Sequence, residues 1–205
     1  MQNHPLQPWA FGDLRPLSFD VILADPPWHF DLYSKAGEAK SPQAHYSTMS
    51  PNAIKALPVA QLGRGDCLLL MWACWPSLPL AMSVLEAWGF RYVTGGSWHK
   101  RTRHGKSNFG TGYRLRSATE PFLIGTLGNP ATAKNIRNLI DAAEVDSENR
   151  GHSRKPDEQY TMLEALCPRA LGFVELFSRC SRSGWSAWGN EVGKFDDNSY
   201  ALQPG

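Results

Sequence analysis

The sequence predicts an α/β domain with a mainly parallel sheet and helices on both faces. Two observations carry that prediction: apolar runs of strand length recur along the chain, and segments with helical spacing and helix-end signals lie between them. Residues 19–24 (FDVILA) read as a buried strand that ends where Asp25 begins a stiff turn. Ser50 and Pro51 read as an N-cap and first-turn proline, with Ile54 and Leu57 on one helix face. Residues 67–72 form a second apolar strand, and 78–88 a helix (Leu78, Ala81, Met82, Val84, Leu85 and Trp88 inward) that stops at Gly89. Strands are expected at 90–98 and 121–125. A helix is expected from Pro156 to Leu166, with Asp157 and Glu158 suiting its dipole, and further strands at 170–177 and 185–188. In such open sheets ligands bind beyond the carboxyl ends of the strands, which is where Asp25 falls.

A length of 205 residues suits one compact domain, expected over 1–195, with 196–205 a polar, disordered tail. Hydrophobic residues at 42% and charged residues at 20% are an ordinary globular balance. The formal charge of +2 excludes a polycation that grips nucleic acid by bulk charge. The distribution is less even: His99, Lys100, Arg101, Arg103, Lys106, Arg114 and Arg116 follow one another with no acidic residue between them. Trp98 and Tyr113 accompany these cations, and Gly105, Gly110 and Gly112 loosen the backbone. The segment 99–117 is therefore expected to be a basic substrate-binding loop for phosphates, against the plain alternative of a solvated surface loop.

The four cysteines (Cys67, Cys74, Cys167, Cys180) have no C-x-x-C spacing and no paired histidines, so a reducing compartment and no metal site are expected. No basic-then-apolar leader opens the chain, and the longest strongly apolar run, 67–75, is too short for a bilayer span of about 20 residues. The expectation is a soluble, cytoplasmic protein without membrane contact.

The most informative segment is Asp25-Pro26-Pro27-Trp28. Two prolines between an acid and an aromatic leave few free dihedrals. The plain reading is a rigid turn with a capping Asp and a packed Trp. The functional reading starts from a chemical difficulty. The lone pair of an aromatic amine is delocalised into its ring, so the amine is a poor nucleophile until acceptors draw its hydrogens and make nitrogen more tetrahedral. Asp25 offers a carboxylate and Pro26 a carbonyl held by the stiff backbone. Trp28 offers a ring to stack on the base, which must be single-stranded or flipped. A carboxylate also stabilises the positive nitrogen left after alkylation.

With Asp25-Pro26-Pro27-Trp28 come His45-Tyr46-Ser47-Thr48-Met49, Lys155-Pro156-Asp157-Glu158-Gln159-Tyr160, Glu175-Leu176-Phe177 and Gly189-Asn190, in that order. The set resembles the family of the catalytic subunit of the eukaryotic mRNA adenosine methyltransferase and its bacterial and phage DNA relatives, from about Asp13 to Gly193. The resemblance implies a Rossmann-like methyltransferase domain in permuted order, catalytic motif before cofactor segments, which agrees with the absence of an early G-x-G-x-x-G. It implies S-adenosyl-L-methionine as cofactor. Asp13 and Leu14 match positions that read its adenine, Asp25 one near its amine, Lys155 one that pairs with its carboxylate, Arg179 a contacting arginine, and Asn190 and Glu191 its ribose. Glutamine is common at the last position, so Glu191 is a departure. Tyr46 and Glu120 match residues near the target nucleoside.

Each assignment has a plain rival: Lys155 as a surface lysine, Glu120 as a strand border, and His152, Ser153 and Arg154 as a capping loop. His45 reads as structural. Three functions are weighed: methylation of the exocyclic amine of adenine in DNA; the same reaction on RNA; and a catalytically silent nucleic-acid-binding partner of a methyltransferase complex. Retention of Asp25, Trp28, Lys155 and Asn190 argues against the third. The general look of the bacterial and phage members, and no RNA-binding appendage in this sequence, favour DNA. A homodimer, or a methyltransferase partner subunit, is the expected assembly.

Overall fold

Strand β1 (Phe19–Ala24) and strand β2 (Gly63–Trp72) run parallel, with Ile22 opposite Leu69 and Ala24 opposite Met71. The structure, a computed structural model, describes residues 8–28, 48–110, 114–144 and 154–196. After β1 comes helix α1 (Pro51–Lys55), where Ser50 caps by accepting from the Ala53 amide at 3.2 Å. Helix α2 (Leu78–Ala87) follows β2 and is closed by Gly89 at φ 85°. Then come β3 (Arg91–Arg101), β4 (Thr119–Leu127), β5 (Leu139–Ala143), helix α3 (Glu158–Leu166), β6 (Phe173–Leu176) and β7 (Trp185–Trp188).

The seven strands lie in the order β5-β3-β4-β2-β1-β6-β7. All pairings are parallel except the two made by β4, which runs against both β2 and β3. Alternate residues of the central strands point to opposite faces. Ile22, Ala24, Leu69 and Met71 pack beneath Ile54, Ala81, Val84 and Leu85 of α1 and α2. Val21, Leu23, Leu68, Leu70 and Trp72 pack on the other face with Tyr160 and Leu163 of α3. Helices thus cover both faces, and the α/β, Rossmann-like class stands.

Several boundaries differ from expectation. Strand β3 does not stop at Trp98: His99, Lys100 and Arg101 pair with Asp141, Ala142 and Ala143 of β5. The expected basic loop therefore loses its first three residues to the sheet. Strand β5 was not expected, being five residues with two alanines and an aspartate. Only Ile140 and Ala142 are buried, the alternation of an edge strand. It docks because Gly96 leaves room: a Cβ there would stand 2.2 Å from the Asn138 carbonyl oxygen. The indole N–H of Trp98 then donates to the Ala142 carbonyl at 3.0 Å. Asp196, the first residue of the expected tail, also has a place beside Phe195. The Phe195 amide donates to the Arg179 carbonyl at 3.1 Å, and the Ser181 amide donates to Asp196 at 2.6 Å. Residues 197–205 lie outside the described residues.

One consequence of the reversed strand governs the site. The first residues of β4, Thr119 and Glu120, lie at the same sheet edge as the last residues of β3, with Trp98 opposite Glu120. The carboxyl ends of β1, β2, β6 and β7 share that edge.

Candidate active site

Asp25 leaves β1 with its amide donating to the Leu176 carbonyl at 3.4 Å. The two prolines then fold a tight turn in which the Trp28 amide donates to the Pro26 carbonyl at 2.8 Å. That bond aims the Pro26 carbonyl and occupies one of its lone pairs, leaving the other for a ligand. The Met49 amide binds the Pro27 carbonyl at 3.1 Å. Trp28 does not serve as the expected stacking surface. It is 3% exposed, sits in the core, and donates its indole N–H to the Trp72 carbonyl at 3.2 Å. An indole with its N–H satisfied internally anchors the motif.

Lys155 stands between two carboxylates. Its Nζ is 2.8 Å from Asp25 Oδ2 and 3.0 Å from Glu120 Oε1, and lies 5.5 Å from the centroid of the Trp72 ring. The chain of charge continues: Lys100 Nζ is 3.0 Å from Glu120 Oε2 and 3.5 Å from Glu144 Oε1, and Asn108 donates to Glu144 at 2.6 Å. With its side chain 6% exposed, Lys155 is not the surface lysine of the plain reading.

The three central groups titrate differently. Burial raises the Asp25 pKa and Glu120 adds to the rise, against the opposing pull of Lys155. Burial would also raise Glu120, yet Lys155 and Lys100 outweigh it and its pKa falls below the usual carboxylate value. Burial would lower Lys155, but Asp25 and Glu120 together raise it, so it stays charged at neutral pH. Two neighbouring carboxylates with pKa values pushed apart are the usual mark of divided acid–base roles.

On one side of this cluster is a cavity of about 200 Å³ lined by Asp25, Pro26, Phe177, Arg179, Asn190 and Glu191, among others. Constrained backbone sets its shape. Phe177 follows β6 at φ 61°, a conformation costly for a bulky residue, and its ring packs on Trp88 and Trp188. Gly189 is required: a Cβ would meet the Ser178 carbonyl oxygen at 2.7 Å and its nitrogen at 2.8 Å. Arg179 Nε is 2.9 Å from Glu191 Oε2, Lys194 pairs with the other oxygen of Glu191, and Phe195 lies under the Arg179 guanidinium. Burial opposes ionisation of Glu191, but Lys194 and Arg179 outweigh it, so its pKa is lowered and it is an anion at neutral pH. Behind the wall, Glu175 accepts from Tyr160 at 2.9 Å and Ser178 at 2.6 Å.

On the other side is a cavity of about 920 Å³, lined by Trp75, Lys100, Phe109, Arg114, Arg116, Glu120 and neighbours. Of the expected phosphate-binding residues, Arg114 and Arg116 are exposed at its rim, and Arg103 is exposed next to His104. Two others are corrected. Lys100 belongs to the charge chain, and Arg101 is bound by both Asp141 oxygens, at 2.6 and 2.9 Å. Their charges are spent within the protein. Asp13 and Leu14 are not brought to the Asp25 cavity; they line a shallow cleft with Phe19, Phe173 and Trp185, the first residues of three strands. Tyr46, Tyr113, His45, His152 and Ser153 lie outside the described residues. Sequence reasoning missed Glu144, Asn108 and Trp75. None of them carried a signal in the sequence; Glu144 is only the third acid after the basic run, behind Glu120 and Asp141.

All four cysteines are free thiols, and burial pushes Cys74, beside Glu120, up to about 12. Among the described residues no helix is long and apolar enough to cross a membrane, and no cluster of three metal-ligating side chains occurs.

Comparison with known proteins gives these residues a context. The chain is 34% identical over 198 residues to an N(6)-adenosine-methyltransferase MT-A70-like protein of Arabidopsis thaliana, covering 90% of this chain and 26% of that protein. It is 29% identical to the Type II methyltransferase M.MunI of a Mycoplasma species, covering 89% of this chain and 82% of the relative. It is 28% identical to the human N(6)-adenosine-methyltransferase catalytic subunit METTL3, covering 96% of this chain and 32% of the relative. The first of these relatives is thus about four times as long as the stretch it shares with this chain. The MT-A70 family model matches residues 19–191, from the first residue of β1 to Glu191 at the wall of the cavity, and this chain belongs to the MT-A70 family.

Proposed function

We propose that this chain transfers a methyl group from S-adenosyl-L-methionine to the exocyclic amine of adenine in DNA, acting in the cytosol. The observation that carries the reading is Asp25 in the lining of the smaller cavity, tied through Lys155 to Glu120 in the lining of the larger one. The smaller cavity fits the cofactor by the chemistry of its lining. Asp25 suits the ammonium and sulfonium charge, Asn190 and Glu191 suit a ribose diol, and Phe177 and Trp188 give apolar walls. Arg179, paired with Glu191, lines this cavity, and Lys155, paired with Asp25, lies beside it; these are the cations its carboxylate would meet. When bound, S-adenosyl-L-methionine supplies an electrophilic methyl group. Asp13 and Leu14 stay outside this set because they line another cleft.

The remaining steps belong to the chain. Asp25 Oδ2 is held by Lys155, leaving Oδ1 to accept a hydrogen bond from the target amine. The free lone pair of the Pro26 carbonyl accepts the second amine hydrogen. Both draw density into nitrogen and turn its lone pair outward. Once nitrogen carries the methyl group and a positive charge, Asp25 with its raised pKa accepts the departing proton. The kinship with M.MunI along 82% of its length supports the DNA reading. RNA is the second reading, favoured by the higher identity, 34%, to the Arabidopsis N(6)-adenosine-methyltransferase MT-A70-like protein. The test is transfer of labelled methyl to matched single-stranded DNA, duplex DNA and RNA. Label on DNA adenine is expected; label on RNA alone selects the second reading, and none on any polymer overturns both.

A further inference from the structure

We infer that Trp75 is the stacking platform for an unpaired base of the nucleic-acid substrate, an inference that rests on the methyl-transfer reading. Trp75 follows the end of β2, opening a short 3-10 turn (Trp75–Ser77) stiffened by Pro76. Of the eight tryptophans it alone is exposed, at 49%, whereas Trp28, Trp72, Trp88 and Trp98 are buried. Its exposure is not looseness. The indole N–H donates to the Thr119 carbonyl at 3.2 Å and to its hydroxyl at 3.1 Å, which fixes one edge of the ring. Thr119 immediately precedes Glu120, so the ring is keyed to the strand that carries the inner carboxylate.

The surroundings match a base and its backbone. Trp75 lines the cavity of about 920 Å³ that has Glu120 in its lining and Arg114 and Arg116 exposed along it. Glu120 is held ionised by two lysines and accepts hydrogen bonds from a base's amine. The arginines suit phosphates. A ring whose only polar group is used internally presents a bare π face, and every base has a π face to lay on it. A ring held in advance loses little freedom on binding. The occupant is a base outside a duplex, in a single strand or flipped; DNA and RNA share that chemistry. This supplies the aromatic surface that Trp28, being buried, does not.

The test measures binding of fluorescently labelled, adenine-containing single strands of DNA and of RNA to the full chain, to Trp75→Leu and to Trp75→Phe. Trp75→Leu is expected to weaken binding about ten-fold or more and Trp75→Phe by less than about three-fold. Affinity for S-adenosyl-L-methionine and the melting temperature should not change in either variant. Unchanged strand affinity in Trp75→Leu overturns the inference, as does an equal loss of cofactor affinity. A change in oligomeric state with strand affinity intact also overturns it and assigns the ring to a protein contact. Wild type that binds strands yet transfers no methyl group would defeat the methyl-transfer reading while leaving the Trp75 comparison standing.

Discussion

The two flanks of the sheet are built by different means. On the β1-β6-β7 flank the cavity is shaped by constrained backbone: a double proline, a positive φ at Phe177, and Gly189 pressed against Ser178. On the β3-β4-β5 flank the site is a relay of side chains, Lys155, Glu120, Lys100, Glu144 and Asn108. Backbone walls tolerate few substitutions and suit one invariant ligand. A side-chain relay is adjustable and would suit the flank proposed to meet a variable polymer. The sharpest way to break this contrast is at its hinge. Asp25→Asn should lower methyl transfer at least about 10²–10³-fold, measured with labelled cofactor. Its melting temperature should rise, because a carboxylate whose folded pKa is raised costs stability once pH exceeds its unfolded value. Trp28→Ala should do the reverse to the fold, lowering stability by about 3–5 kcal/mol through loss of a buried ring. Near-normal turnover in Asp25→Asn would end the mechanism.

A smaller effect tests whether the relay reaches Asp25. The acid limb of the rate profile reports ionisation of Asp25, which must be an anion to accept the amine hydrogen. Glu120 raises its pKa and Lys155 lowers it. Glu120→Gln should therefore move the limb to lower pH, and Lys155→Met should move it to higher pH, whatever either does to the maximal rate. Shifts in the same direction, or none, would uncouple the two flanks.

The legibility of the molecule follows the same division. Strand β1, the Ser50 cap, α2 and its Gly89 stop could be read because local preference and burial agree there. That Asp25, Lys155 and Asn190 lie together could be read because their motifs carry backbone constraint as well as chemistry. Strand β5 could not: its pairing depends on Gly96, more than 40 residues earlier, and its own residues have weak strand preference. The reversal of β4, which brings Glu120 to the edge that carries Asp25, is equally nonlocal. Trp28 and Trp75 could not be told apart, since exposure of an indole is decided by what the fold lays over it.

The basic segment gives the finest test, because sequence presents its cations as equals and the fold does not. Arg101 is neutralised by Asp141 on the neighbouring strand, whereas Arg103, Arg114 and Arg116 are exposed. A cation already paired releases no counterions from a nucleic acid; an exposed one that meets a phosphate does. Replacing Arg103, Arg114 and Arg116 by glutamine should flatten the dependence of log K on log salt by up to about 0.9 per lost contact on duplex and about 0.7 on single strands. Arg101→Gln should leave that slope unchanged and slightly lower the melting temperature, as the bond between β3 and β5 is lost. An Arg101 variant with a reduced slope and an undisturbed fold would mean that phosphate displaces Asp141 on binding. The edge strand would then belong to the nucleic-acid surface and not merely support it.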